Sequence, residues 1–137
     1  MTQIILVLLA AIASPLPLII IEKILPFPFL IEEILKLIAV LILLRQTKII
    51  KRDLLPIAII VGLLFAVSES IFYLINILST ENFNIFYLRL LLTSTLHMLT
   101  IGIIYVLAKR GVIGIVAGLT TAILIHYFYN LLIPALL

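Results

Sequence analysis

Six side chains in this 137-residue sequence are of types that move protons or hold metals, yet sit inside apolar runs. They are Glu32, Glu33 and Lys36 in FLIEEILKLIAV, Glu69 in GLLFAVSESIFYLIN, His97 in RLLLTSTLHMLT and His126 in HYFYN. Two neutral imidazoles and one carboxylate make a zinc site with an open position, where bound water ionises near pH ~7. In that scheme His97, His126 and Glu69 hold the metal, Glu33 takes the proton, and Asn130 or Arg89 steadies the oxyanion. A metal-free scheme uses the same residues, with Glu33 activating water and the histidines and Asn130 stabilising the tetrahedral intermediate. The spacing does not choose between them, and the H-E-x-x-H signature of soluble zinc proteases is absent. The plainer alternative for each residue is packing: an ion pair for the span-two charges, a helix-to-helix hydrogen bond for either histidine.

The elements that must position these groups are membrane helices. The sequence is 66% hydrophobic and 11% charged, with mean hydropathy +1.47, far from the composition of soluble domains. Its apolar runs exceed the roughly 18 residues a spanning helix needs, and the strict alternation of a membrane barrel strand is missing. The expected fold is therefore all-α, a polytopic transmembrane bundle of about five spans forming a single domain over residues 1–137. The spans run from about Gln3 to Ile21, Pro28 to Leu44, Leu54 to Leu78, Ile85 to Ala108 and Val112 to Ile133. The first resembles a signal peptide but lacks a basic start, so a retained helix kinked near Pro15 and Pro17 is expected. There is no Cys, which excludes disulfides, thiolate metal sites and a cysteine nucleophile.

Arg45, Lys48, Lys51 and Arg52 fall between spans two and three, and Lys109 and Arg110 between spans four and five. By the positive-inside rule those loops face the cytoplasm, placing the N-terminus inside and the C-terminus outside the plasma membrane. The net charge of +3 is an orientation signal of this kind, and no nucleic-acid partner is expected. The outer loops carry only Lys23 and Glu81. Most aromatic residues, Phe27, Phe29, Phe72, Tyr73, Phe83, Phe86, Tyr87 and Tyr127 to Tyr129 among them, fall toward the outer half as an interfacial belt.

Each charge at mid-membrane costs roughly 2.5–3.5 kcal/mol, so span two is marginal alone and must face a polar interior. Its neighbours offer one. Gly62, Ala66, Glu69, Tyr73 and Asn76 share a face of span three; Arg89, Thr93, His97 and Thr100 share a stripe of span four. In span five, Gly114 and Gly118 form a close-packing G-x-x-x-G, and His126 and Asn130 continue that seam. Counting helical rise, Glu33, Glu69, His97 and His126 all lie about 8 to 18 Å below the outer ends. Unrelated packing devices have no reason to share a level; a water-activating site requires it.

In this order on successive helices, Glu32-Glu33-x-x-Lys36, FAVSESIFYL with Glu69, His97-x-x-Thr100 and HYFYN with His126 and Asn130 resemble the PrsW family of intramembrane proteases. That family is related to the type II CAAX prenyl proteases and the bacteriocin-immunity CPBP proteins. The likeness runs from about Pro26 to Pro134, in what would be a short version of the family. It implies peptide-bond cleavage in or beside the membrane, as in processing of membrane-anchored anti-sigma factors. It also implies a core of Glu33, Glu69, His97 and His126 supported by Glu32, Lys36 and Asn130, and leaves a metal and a glutamate mechanism both open. One departure is Ser70, where the family usually has Asn.

The expected function is an intramembrane endopeptidase acting on a membrane-anchored protein, with one zinc per chain in the metal scheme and no organic cofactor. Arg89, Thr100 and Tyr73 are supporting residues, and homo-oligomerisation would compensate for the short chain. Glu32 is expected to be held by Lys36, leaving Glu33 for water. The alternatives are a proton or ion translocator, since Glu and His chains also relay protons, and a non-catalytic scaffold of the same fold.

Overall fold

A computed structural model describes residues 2–14, 17, 24, 27–77 and 83–133, without the side chains of 72, 73 and 75–77. Every regular element among them is helical: α1 (Thr2–Ala13), α2 (Pro28–Ile50), α3 (Leu55–Ile77), α4 (Phe83–Ala108) and α5 (Val112–Leu132). Two of these, α4 and α5, are long and apolar enough to cross a membrane. The kink expected near Pro15 and the outer-loop residues Lys23 and Glu81 lie outside the described residues.

Helix α2 is longer than the span expected to end at Leu44. It runs to Ile50, so Arg45 and Lys48 belong to its last turns and not to a loop. No breaker follows Leu44, Lys and Arg are good helix formers, and the negative end of the helix dipole favours cations there. The helix stops at Lys51, whose left-handed backbone (φ 53°) turns the chain. At the other end Pro28 occupies the first turn, where a missing N–H costs nothing.

Glycines set the closeness of the packing. A Cβ on Gly62 would sit 2.7 Å from the His97 carbonyl oxygen, so α3 lies directly against the α4 backbone that carries a site histidine. Gly114 and Gly118 do the same between α5 and α4: a Gly118 Cβ would meet the Ile104 Cα at 3.2 Å, and one on Gly114 would collide with the Leu107 carbonyl.

One half of the interior is apolar, with Val40, Leu43, Ala58, Ile101, Ile104 and Ala122 fully buried. Tyr105 closes that end. Its hydroxyl donates to Asp53 Oδ1 (2.8 Å) and accepts from the Leu54 N–H (2.9 Å), with Thr47 Oγ1 3.1 Å away. Asp53 also accepts from the Leu55 N–H (3.1 Å) and, through Oδ2, from Lys109 Nζ (2.7 Å). One aspartate thus starts α3 and ties it to the end of α4.

Two consequences are measurable. Gly62→Ala should lower unfolding stability by about 1–3 kcal/mol, because backbone and not a pliable side chain is in the way. Gly102→Ala should cost less, since its Cβ would meet only the Ile59 Cδ1, at 3.1 Å. Denaturant titration in detergent distinguishes the two. The Asp53 carboxyl is held down, from 3.8 to about 2, by its bonds from Lys109, Tyr105 and Leu55. The contribution of the ionised form is therefore complete above about pH 4 and disappears as pH falls toward 2. The stability gap between wild type and Asp53→Asn should close over that window.

Candidate active site

Consecutive helical residues point about 100° apart, so Glu32 and Glu33 cannot serve the same partner. Glu33 turns inward between α4 and α5. Its Oε1 accepts from Lys36 Nζ at 2.6 Å and lies 2.7 Å from His126 Nδ1. Lys36 also donates to Thr100 Oγ1 at 3.0 Å and lies 5.6 Å from the centre of the Phe65 ring. All four hydrogen-bonding residues are buried. The expected pairing is thereby reversed: Lys36 holds Glu33, three residues away, and not Glu32, four away. Both spacings allow contact, and the choice falls to the partners from other helices, because Thr100 and His126 lie on the Glu33 side.

Glu32 faces a different set of groups. Glu32, Glu69 and His97 each offer a ligand atom, all within 4.8 Å of one another. His97 Nε2 is 2.9 Å from Glu69 Oε2. Among the described residues that contact lacks hydrogen-bond geometry, and neither His97 nitrogen nor Glu32 Oε2 has a hydrogen-bond partner. Buried polar atoms are rarely left so, because each lost bond costs about 1–3 kcal/mol. His97 is fully buried, with the Phe65 ring stacked at 4.9 Å and the His126 ring edge-on at 5.5 Å.

His126 stands between the two groups. With a carboxylate on Nδ1, the tautomer that satisfies the contact carries its proton there and leaves Nε2 as an acceptor. That Nε2 is 3.7 Å from Glu32 Oε2, beyond a hydrogen bond. Of the expected ligand trio, Glu69 and His97 are in the convergent group; Glu32 takes the third place and His126 lies beside it, braced by Glu33.

The remaining expected residues are spread around this cluster. Thr100 is at its base. Arg89 is half-buried nearer the start of α4. Asn130 is exposed one turn beyond His126 and makes no hydrogen bond to another described residue, so it does not join the cluster. The Tyr73 side chain lies outside the described residues. Ser70 is buried and its Oγ is unbonded among the described residues, in keeping with the loss of the larger amide. Phe65 and Phe29 were not marked as site residues by the sequence. Phe65 falls on the Gly62, Ala66, Glu69 face at helical spacing, the signal that could have found it. Phe29 is buried with its ring 6.0 Å from that of His126, and so is a wall of the site. Tyr129 bonds Thr93 Oγ1 at 2.8 Å and joins α5 to α4 above His126.

The profile of the PrsW family, described as PrsW family intramembrane metalloprotease, matches residues 6–137. The chain belongs to the PrsW family. No curated protein and no solved structure matches it. The donor set of this PrsW-family chain fits a zinc ion, since two carboxylates and an imidazole are ordinary ligands and the atoms that would bind it include buried ones with no hydrogen bond. Glu33, 2.7 Å from His126 Nδ1, fixes the orientation of that ring beside the group.

The buried pair makes a prediction. Lys36→Met strands the Glu33 carboxylate and should cost about 3–5 kcal/mol, whereas adding Glu33→Gln should recover part of that loss. Unfolding titrations of both singles and the double measure the coupling; additive losses would show that the pair is not coupled.

Proposed function

We propose that this PrsW-family chain is an intramembrane endopeptidase that hydrolyses a peptide bond of a membrane-anchored protein. The observation that carries the reading is the convergence of Glu32, Glu69 and His97 beside the Glu33–His126 pair, inside a bundle whose outside is apolar. Glu32, Glu69 and His97 would hold zinc, which when bound polarises a carbonyl and makes water a nucleophile near neutral pH. His126 Nε2 takes the proton of the attacking water, and Glu33, kept anionic by Lys36, carries the resulting imidazolium through Nδ1. Glu33 thus acts through His126 and not on water directly. The same Nε2 returns the proton to the departing amine. Phe65 and Phe29 wall the imidazoles from lipid and fix their rings.

All five helices are proposed to cross the plasma membrane, N-terminus inside. Support comes from the polarity: Ile38, Leu41, Ile60, Leu63, Leu91 and Val116 are exposed while Glu33, Lys36 and His97 are buried, the reverse of a soluble domain. A proton-translocating role is less favoured. Among the described residues a buried apolar layer of Val40, Leu43, Ile101 and Ile104 separates Thr100 from the next buried polar groups, Gln46 and the Tyr105 hydroxyl.

The purified chain, reconstituted with single-span test peptides, should cleave at least one and hold about one zinc. Glu32→Gln and His97→Ala should lose both metal and cleavage. Glu33→Gln should keep the metal and cleave about 10²–10⁴-fold more slowly. Cleavage that persists undiminished in Glu32→Gln and His97→Ala would refute the reading.

A further inference from the structure

Helix α1 is pinned to the bundle at two levels. Near its start Gln3 accepts a hydrogen bond from Gln46 of α2, and near its end Ser68 Oγ of α3 donates to the Ile12 carbonyl at 2.6 Å. Between the pins α1 does not close on its neighbours. A cleft of about 440 Å³ remains between α1, α2 and α3, within the range of small-molecule sites. Its walls are apolar and partly small, with Leu6, Ala10, Ala39, Ile42 and Val61 among them. The cleft opens to the surface of the bundle, where Leu6 and Ile38 are exposed, so in a membrane something apolar fills it.

The two ends of the cleft differ. Gln3 and Arg45 line one; Lys36 and Phe65 line the other. Arg45 is exposed and has no ion-pair partner among the described residues, and Lys48, Lys51 and Arg52 continue the positive charge beyond it. From Arg45 back to Lys36 is nine residues of α2, about 14 Å. That is close to half of the roughly 30 Å hydrocarbon core, the depth of one leaflet. A slot with a basic end and apolar walls about one leaflet long suits a lipid chain.

We infer that this cleft binds one acyl chain of an anionic phospholipid, with Arg45 holding the headgroup phosphate. The chain end would then lie against Lys36 and Phe65, the residues that touch Glu33 and His97. The inference does not depend on the proposed peptidase activity.

Full-length protein in detergent, titrated with phosphatidylglycerol or with phosphatidylcholine of the same acyl chains, tests it by native mass spectrometry. Phosphatidylglycerol should be retained preferentially, and Arg45→Gln should weaken that retention roughly fivefold, the worth of one cation beside an anionic headgroup. Lys51→Gln should leave it unchanged. Ala39→Phe, which fills the slot, should abolish retention of both lipids, and Ala10→Phe provides the same test from the opposite wall if the first variant does not fold. Equal retention of the two lipids would overturn the inference. So would equal losses in Arg45→Gln and Lys51→Gln, which would indicate surface charge alone, or unaltered retention in folded slot-filled protein. Displacement of phosphatidylglycerol by an apolar single-span peptide would assign the cleft to a peptide and also overturn it.

Discussion

The structure depends on pairing one buried carboxylate in an apolar bundle. Glu33 is completely buried, and its Oε1 sits between Lys36 Nζ and His126 Nδ1, at 2.6 and 2.7 Å. Two ions removed from water recover the desolvation cost only when geometry and further hydrogen bonds are good. Here those bonds come from other helices: Thr100 of α4 takes a second proton of the lysine and His126 of α5 takes the carboxylate. The pair is local to α2, but its compensation is tertiary. Assembly of α2, α4 and α5 is therefore a condition for tolerating the charges, and tolerating them fixes the rotation of α2 that turns Glu32 toward α3.

That rotation needs helices that can approach closely, and the sequence supplies the means at the contact points. Gly62 lets α3 lie on the backbone of His97, while Gly114 and Gly118 draw α5 onto α4 near the opposite end. At that end Tyr105 and Asp53 join the starts and ends of three helices through hydrogen bonds. Half of the bundle is thus an apolar clamp with a polar lock at its foot. The other half holds buried groups with unspent hydrogen-bonding capacity. A site with such atoms is costly to maintain, and a rigid neighbour half is what prevents it from relaxing them away.

Much of this was legible in the sequence, and the parts that were not have a common cause. The last two helices coincide closely with the spans read from hydropathy, because their ends are marked by charge and by Gly111. Glu33, Glu69, His97 and His126 could be placed at one level because helical rise is uniform. Which of Glu32 and Glu33 meets Lys36 was not legible: three- and four-residue spacings are equivalent along one helix, and the decision rests with Thr100 and His126, distant in sequence. The extension of α2 through Arg45 and Lys48 is not legible from hydropathy, because basic residues suit a membrane-facing loop and the end of a helix equally. Asn130 follows His126 by one turn, yet helical spacing alone does not tell how far a seam stays buried, and at that level it is Tyr129 that meets α4 while Asn130 is exposed.

The two glutamates, adjacent in sequence, are thus separated in environment. Glu33 has its charge matched by Lys36 and its oxygen shared with an imidazole, so its work is to orient and to balance. Glu32, with a buried oxygen that no hydrogen bond reaches among the described residues, retains capacity for a ligand. Exchanging the two would require α2 to turn by about a quarter of its circumference, which would pull Lys36 from Thr100. The lysine is what forbids it. Buried along its whole length, it excludes the other register and so sets which carboxylate is matched and which is left to bind.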